Sequence, residues 1–201
     1  MKINILGGGI AGLASAIFLS KQGHEVTIVE RNDYINELGA GIQITPNAIR
    51  VLDALGIRND FINLAEQSTS LSIRRAENSA LLQKVSMHRL VKDKKVGFYH
   101  LHRHKLLNLL KDNAIKNKVK IISNQYINKI IITKDNVRIF SNDIEYDSDI
   151  LIGADGLNSI SRKKLNEDYM PKYSGFCAFR TITTLDESVD KFLYEPNLFL
   201  Q

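Results

Sequence analysis

INILGGGIAGLASAIFLSKQGHEVTIVE, residues 3–30, contains two apolar runs on either side of a glycine-rich turn and a stretch with helical spacing. The pattern predicts a buried parallel strand over Ile3–Leu6, a helix over Ile10–Gln22 and a second strand over Glu25–Val29. Gly23 is a typical residue to end the helix. The chain therefore begins, in about 30 residues, with a βαβ unit.

The glycines of this unit follow the spacing G-x-G-x-x-G at Gly7, Gly9 and Gly12. The first allows a tight turn, the second lets the backbone approach a pyrophosphate, and the third allows close packing of helix on sheet. Glu30 follows Gly12 by 18 residues and ends the second strand, where a carboxylate can accept hydrogen bonds from ribose hydroxyls. The unit predicts a dinucleotide site. It does not by itself separate FAD from NAD, and a glycine-rich turn without a ligand stays an alternative.

Bulk composition places the chain among ordinary globular proteins. It has 201 residues, of which 44% are hydrophobic and 24% charged, and a net charge of +5. The lysines are spread along the chain and there is no tryptophan, so we expect no nucleic-acid partner. Apolar runs long enough to cross a bilayer are missing from the sequence, which predicts no membrane partner. The single cysteine, Cys177, excludes an intramolecular disulfide and favours a reducing compartment. Because the sequence shows no signal peptide or membrane-spanning run, we expect a cytoplasmic location.

Beyond residue 30 the pattern predicts a loop, four helices, a hairpin and several strands. We expect the loop over residues 31–45 and helices over Pro46–Leu55, Asp60–Ala65, Leu101–Asn113 and Asn158–Leu165. We expect a hairpin over Ser70–Val85, strands near 119–122, 127–133, 137–140 and 149–152, and an aromatic-rich strand over Ser174–Thr184.

Three further motifs accompany the βαβ unit. They are LGAGIQITPNA at residues 38–48, LHRHKLL at residues 101–107 and GADGLNSISR at residues 153–162. With the glycine loop, they resemble the group A flavoprotein monooxygenases, the single-component aromatic hydroxylases of the p-hydroxybenzoate and salicylate hydroxylase type. The D-G-x-x-S-x-x-R match from Asp155 to Arg162 is the most specific part. The resemblance implies a Rossmann-like α/β FAD-binding domain of the glutathione-reductase type.

The resemblance also implies roles for single residues. In such proteins, the arginine that matches Arg103 contacts the flavin dinucleotide, so the resemblance implies this role for Arg103. An ordinary arginine at the start of a helix stays an alternative. The loop Gly39–Gly41 runs near the isoalloxazine, and the backbone at Ile127 meets the adenine. Asp155 lies where the FAD pyrophosphate and NAD(P)H pass, or it caps the helix that follows.

The candidate cofactor-binding residues are Gly7, Gly9, Ala11, Gly12, Glu30, Arg31, Gly41, Arg103, Ile127 and Asp155. The implied cofactor is FAD, with NAD(P)H as co-substrate and a small aromatic or heteroaromatic substrate. Because the cofactor carries the difficult chemistry, the sequence identifies no catalytic side chain. His100, His102 and His104 alternate, but no cysteine or acidic group completes a metal site near them, so we expect no metal.

Members of this family are longer and carry a Gly-Asp fingerprint in their C-terminal part, which this sequence lacks. We therefore expect an apparently truncated N-terminal portion. It would have an FAD-binding domain over residues 1–170, to which the βαβ unit 1–30 belongs, and the incomplete start of a β-rich substrate domain over 171–201. Residues 66–100 are expected to contribute to the substrate domain. A non-catalytic FAD- or NAD-binding remnant stays an alternative, and the motif at Asp155 disfavours a third one, an NAD(P)-dependent oxidoreductase. No pattern predicts an oligomeric state.

Overall fold

The computed structural model describes residues 1–33, 40–90, 97–142, 144–168 and 170–177, and the backbone of residues 197–200. The chain divides into two compact units. The first unit consists of Met1–Leu38 with Leu106–Ala178, and the second of Gly39–Lys105 with Phe179–Gln201.

Short strands outnumber helices in the described chain. In chain order, the elements are β1 (Lys2–Leu6), α1 (Ile10–Lys21), β2 (Glu25–Val29), β3 (Gly41–Ile44), α2 (Pro46–Ala54), α3 (Arg58–Ile62), β4 (Glu66–Ser68), β5 (Ser70–Arg75), β6 (Leu81–Ser86), α4 (Met87–Leu90), β7 (Phe98–His102), α5 (Arg103–Lys116), β8 (Lys120–Ile122), β9 (Lys129–Ile132), β10 (Val137–Ser141), β11 (Ile144–Ser148), β12 (Ile150–Gly153), α6 (Ile160–Leu165) and β13 (Asn197–Leu200).

A four-stranded parallel sheet forms the first unit, in the order β12-β1-β2-β8. The last four residues of β1 and of β2 are buried, as expected for strands covered on both faces. Helix α1 returns the chain from β1 to β2 and packs on both strands. The predicted βαβ unit is therefore confirmed, with the helix ending at Lys21.

An antiparallel meander of β9, β10 and β11 covers the sheet. Leu6 at the end of β1 and Val29 at the end of β2 share a buried cluster with the meander. The buried members contributed by the meander and the segment before it are Ile127, Ile130 and Ile139. This cluster places the ends of β1 and β2, where the glycine loop and Glu30 follow, directly beside the segment that leads into β9.

Two small sheets form the second unit, β3-β7-β4 and β13-β5-β6. Strands β5 and β6 pair as the antiparallel hairpin that the sequence predicts. Phe61 of α3 is fully buried and meets the ring of Tyr99 of β7 edge to face, with 5.5 Å between the ring centroids. This aromatic pair joins α3 to the β3-β7-β4 sheet.

Several predicted bounds are wrong. The predicted loop 31–45 contains β3, which pairs with β7 so that Gly41 lies opposite His102. The helix predicted over Leu101–Asn113 begins only at Arg103, because Leu101 and His102 still belong to β7, and it continues to Lys116. In both places an antiparallel pairing between distant segments decides the structure, and local periodicity does not reveal such a pairing.

Three more differences concern the later part of the chain. Strand β11 was not predicted, since its polar sequence acquires strand geometry by pairing with β10. Helix α6 begins at Ile160, two residues later than predicted. Residues 174–177 form no strand, and the remainder of the predicted strand Ser174–Thr184 lies outside the described residues. Within the described ranges, no helix is long and apolar enough to span a membrane.

Candidate functional site

The glycine loop follows β1 and is fixed by contacts with both neighbouring strands. Gly7 has φ of +99°, a conformation that favours glycine, and its N–H donates to the carbonyl of Val29 over 2.9 Å. A Cβ on Gly7 would collide with the backbone carbonyl of Ala154, and one on Gly12 with the carbonyl of Gly7. Packing of the loop therefore requires the first and third glycines of the motif.

Gly9 differs from these two glycines, because a Cβ added there meets no atom within 4 Å. Gly9 is also the N-cap residue of α1, and its carbonyl accepts from the N–H of Leu13 over 3.0 Å. Within the described chain, no side chain caps this helix end. The N-terminus of α1 thus has no side-chain cap, and the space beside Gly9 is open, an arrangement that suits binding of a phosphate group by helix N–H groups.

Glu30 ends β2 with its carboxylate held in place. The backbone N–H of Gly8 donates to Oε2 over 2.6 Å, and that of Asn32 donates to Oε1 over 2.8 Å. The backbone of Glu30 is fixed as well, since its carbonyl accepts from the N–H of Gln125 over 2.9 Å. A carboxylate has about four acceptor positions, so two remain for hydroxyl groups of a ligand.

A cavity of about 230 Å³ lies where the glycine loop, the end of β2 and the segment before β9 meet. Five of the predicted cofactor-binding residues line it together. They are Gly7, Glu30, Arg31, Ile127 and Asp155. Sequence separations of up to 148 residues between these positions show that the fold, and not local sequence, assembles this cavity.

Three residues that sequence reasoning missed also line this cavity: Gln125, Tyr126 and Asn158. Tyr126 is 69% exposed, so its ring is accessible at the cavity edge. Gln125 and Tyr126 directly precede Ile127, and Asn158 occupies a variable position of the D-G-x-x-S-x-x-R pattern. The sequence signal that could have identified these three residues was their closeness to predicted site residues.

Asp155 follows β12 and accepts hydrogen bonds from two serines. Its Oδ1 accepts from Ser159 Oγ over 2.7 Å and from Ser161 Oγ over 2.6 Å, and its Oδ2 accepts from the N–H of Ser161 over 3.1 Å. Burial would raise the pKa of Asp155, but the bonds from Ser161 and Ser159 outweigh burial and hold that pKa below its ordinary value. Asp155 therefore stabilises the start of α6, as the alternative of a helix-capping residue expects, while it also borders the cavity.

A second cavity of about 690 Å³ lies between the meander, β12 and α6. Its apolar lining is contributed by Ile130, Ile132, Val137, Leu151, Leu157 and Leu165. Ala11, another predicted site residue, lies on its border, as does Asp155. Arg162 and Lys164 of α6 add positive charge to the lining.

Gly41 and Arg103 belong to the second unit. A Cβ on Gly41 would lie 3.9 Å from the carbonyl of Leu101, which is an ordinary contact, so packing does not require glycine there. Arg103 begins α5, and its backbone N–H donates to the carbonyl of Ala40 over 3.1 Å. Gly39, the other glycine of the predicted flavin loop, lies outside the described residues. The cofactor roles of Gly41 and Arg103 stay predictions.

The three alternating histidines do not share one environment. His100 Nδ1 and Ser68 Oγ lie 2.5 Å apart, and burial lowers the pKa of His100. The rings of His102 and His104 are 5.4 Å apart, with His102 at the end of β7 and His104 inside α5. In the part of the chain that is described, no three histidine, cysteine or acidic residues are placed to hold a metal ion.

Comparison with known proteins adds to this geometry. A family model described as an FAD binding domain matches residues 1–198. The 3-hydroxybenzoate 6-hydroxylase of Klebsiella oxytoca is 30% identical over 193 residues, which are 94% of this chain and 48% of that protein. The 6-hydroxynicotinate 3-monooxygenase of Pseudomonas fluorescens is 27% identical over 184 residues, which are 90% of this chain and 47% of that protein.

Solved structures show a similar fold. The p-nitrophenol 4-monooxygenase of Pseudomonas putida DLL-E4 has a TM-score of 0.74 and 22% identity, with 82% of this chain and 43% of that one covered. At this identity the likeness concerns the fold alone. The chain spans about half the length of the curated relatives it matches.

Proposed function

The chain belongs to the family of FAD-binding domains, and on that basis we propose that it holds the ADP half of FAD through its glycine loop and Glu30. The family decides between FAD and NAD, which the glycine spacing alone left open. One observation carries the proposal for the residues. Gly7, Glu30 and Ile127 line one cavity, and Gly7 lies in the turn that leads into α1, whose N-terminus has no side-chain cap.

Each group has a distinct task in this proposal. The N–H groups at the start of α1 donate to the pyrophosphate, and Gly9 leaves room for it to approach. The carboxylate of Glu30 accepts from the ribose hydroxyls with the positions that Gly8 and Asn32 leave free. Ile127 and the exposed ring of Tyr126 provide an apolar surface for the adenine. Arg103, in the second unit, supplies a planar cation suited to phosphate.

We extend the proposal to the activity of the whole protein, an NAD(P)H-dependent hydroxylation of a small aromatic or heteroaromatic compound. The support is that the similar proteins named above are a hydroxybenzoate hydroxylase and a hydroxynicotinate monooxygenase. When bound, FAD supplies the redox chemistry of hydride acceptance and oxygen activation. The residues of this chain bind and orient it. Residues 66–100 are proposed to contribute to the substrate domain.

A second candidate function is binding of FAD or NAD without turnover. In this case the cavity beside Glu30 would be occupied, but no substrate would be hydroxylated. The two candidates share the dinucleotide site and differ only in chemistry.

Two measurements on the purified 201-residue chain separate the candidates. The first is the identity of any bound dinucleotide, released by denaturation and analysed by chromatography and flavin absorbance. FAD is the expected result, and NAD instead of FAD would overturn the assignment of the cofactor. The second is NADPH and NADH oxidation with and without hydroxybenzoates or hydroxypyridines. Stimulated oxidation with hydroxylated product supports the monooxygenase, whereas bound FAD without any stimulated oxidation supports binding alone.

A further inference from the structure

Asp155 connects the two cavities of the first unit. It is the residue shared by the lining of the cavity beside Glu30 and the lining of the larger cavity under α6. Its carboxylate does not project freely into either space, because it accepts three hydrogen bonds from Ser159 and Ser161. The position of the Asp155 carboxylate between the two cavities therefore depends on the two serines.

Ser161 supplies two of these three bonds, one from its hydroxyl and one from its backbone N–H. The hydroxyl of Ser159 is additionally engaged, since its oxygen accepts from the N–H of Arg162 over 2.9 Å as the N-cap of α6. Ser159 belongs to the D-G-x-x-S-x-x-R pattern, and Ser161 lies outside its specified positions. Nothing in the motif assigns a role to Ser161.

Ser161 is also coupled to the end of β12 by packing. A Cβ on Gly153 would collide with Ser161 Oγ and would lie 2.8 Å from its Cβ, so the serine occupies the space that glycine leaves there. The N–H of the next residue, Ala154, donates to the carbonyl of Leu6 over 2.8 Å. The carbonyl of Ala154 occupies the space that a Cβ on Gly7 would need. Contacts thus run without interruption from Ser161 through residues 153–155 to the glycine loop.

From this arrangement we infer that Ser161 is a positioning residue for the dinucleotide site, acting through Asp155. Its hydroxyl fixes the carboxylate and the segment after β12, and that segment in turn fixes the turn at Gly7. The inference rests on the proposed binding of FAD and adds a determinant of affinity that touches no ligand. It concerns the hydroxyl alone, because the N–H of residue 161 remains in an alanine variant.

The test is a double-mutant cycle on the full chain, with the dissociation constant for FAD as the first readout and the free energy of unfolding in urea as the second. Ser161→Ala is expected to weaken FAD binding by roughly five- to ten-fold, the range of one ordinary hydrogen bond, because the hydroxyl acts on the ligand only through Asp155. In an Asp155→Ala background the same substitution is expected to change affinity by less than about two-fold, because the group it acts through is gone. Ser161→Thr, which keeps the hydroxyl, is expected to restore most of the affinity.

Ser148→Ala is the matched control. Ser148 is a buried serine of the same unit whose hydroxyl donates to the carbonyl of Val137 over 3.3 Å, and it lines neither cavity. Its removal is expected to change stability but not FAD affinity. Equal effects of Ser148→Ala and Ser161→Ala on affinity, or full additivity of Ser161→Ala with Asp155→Ala, would overturn the inference.

Failure of the proposed function gives a different result. If the unmutated chain does not bind FAD, that proposal is wrong, and the cycle is then decided by the free energy of unfolding. Non-additive losses for Ser161→Ala and Asp155→Ala would support the coupling between the two residues, and additive losses would contradict it.

Discussion

The backbone N–H of Gly8 and the Oε2 atom of Glu30 lie 2.6 Å apart, which joins the turn after β1 to the end of β2. The second carboxylate oxygen, Oε1, accepts from the N–H of Asn32. Together the two bonds fix the orientation of the carboxylate before any ligand binds. A preordered acceptor loses little conformational entropy on binding. The relationship supports the proposed role of Glu30 as the acceptor for the ribose hydroxyls.

Glu30→Gln is expected to weaken FAD binding by roughly ten-fold or more, since one amide group cannot accept from both N–H groups and from ribose hydroxyls. Fluorescence quenching of the flavin on titration with protein measures the change. Glu25→Gln is the control, because Glu25 begins the same strand, is exposed and lines neither cavity. Equal affinity of the Glu30 variant and the unmutated chain would refute the assignment of this residue.

Gly9→Ala and Gly12→Ala are expected to act on different properties. A Cβ at Gly12 collides with the carbonyl of Gly7, so Gly12→Ala should lower the free energy of unfolding, with loss of about 1–3 kcal/mol. A Cβ at Gly9 meets no protein atom within 4 Å, so Gly9→Ala should leave stability nearly unchanged and weaken FAD binding by blocking the pyrophosphate. Urea denaturation and flavin titration of both variants check this. An unaltered FAD affinity in a folded Gly9→Ala protein would contradict the placement of the pyrophosphate.

Arg103→Ala is expected to weaken FAD binding, and the loss should shrink as salt is raised, because a contact between cation and phosphate is screened. Titrations at low and high ionic strength measure both effects. Lys105→Ala is the matched control, since Lys105 is a neighbouring cation exposed on the same helix. If both variants lose affinity equally, Arg103 has no specific role and contributes only to the general positive charge.

His100 predicts a dependence of stability on pH. Burial lowers its pKa from the ordinary value of 6.5, so the unfolded chain takes up a proton at a higher pH than the folded chain. The contribution of His100 to stability is therefore present above pH 6.5 and is lost as pH falls from there through the lowered pKa of the folded state. The free energy of unfolding in urea should fall less between about pH 8 and about pH 5.5 in His100→Gln than in the unmutated chain. An equal fall in the free energy of unfolding in both proteins would exclude His100 as the source of the pH dependence.

The sequence predicted the βαβ unit because its signals are local. Glycine spacing, the apolar runs of β1 and β2 and the acidic end of β2 all lie within 30 residues and agree with one another. The antiparallel hairpin of β5 and β6 and the identity of Glu30 as a cavity residue were predictable for the same reason. The family resemblance, carried by Asp155 to Arg162, is confirmed by the match to FAD-binding domains.

Pairings between distant segments could not be predicted in this way. Gly41–Ile44 becomes a strand only because β7 lies beside it, and this pairing shortens the predicted helix at Leu101. The places of Gln125, Tyr126 and Asn158 in the cavity lining depend on four separate segments of the first unit that come together there. Ser161 could not be identified from its residue type, because its importance depends on the nearness of Gly153 and Asp155.

The central claim is that this chain binds FAD by its ADP half. Isothermal titration calorimetry tests that claim most directly. The full chain is titrated with FAD, with FMN and with FAD in the presence of excess ADP. We expect binding of one FAD per chain, much weaker binding of FMN, which lacks the ADP half, and competition by ADP. Equal affinity for FMN and FAD, or FAD binding that ADP does not reduce, would contradict it, as would the absence of FAD binding by the folded chain.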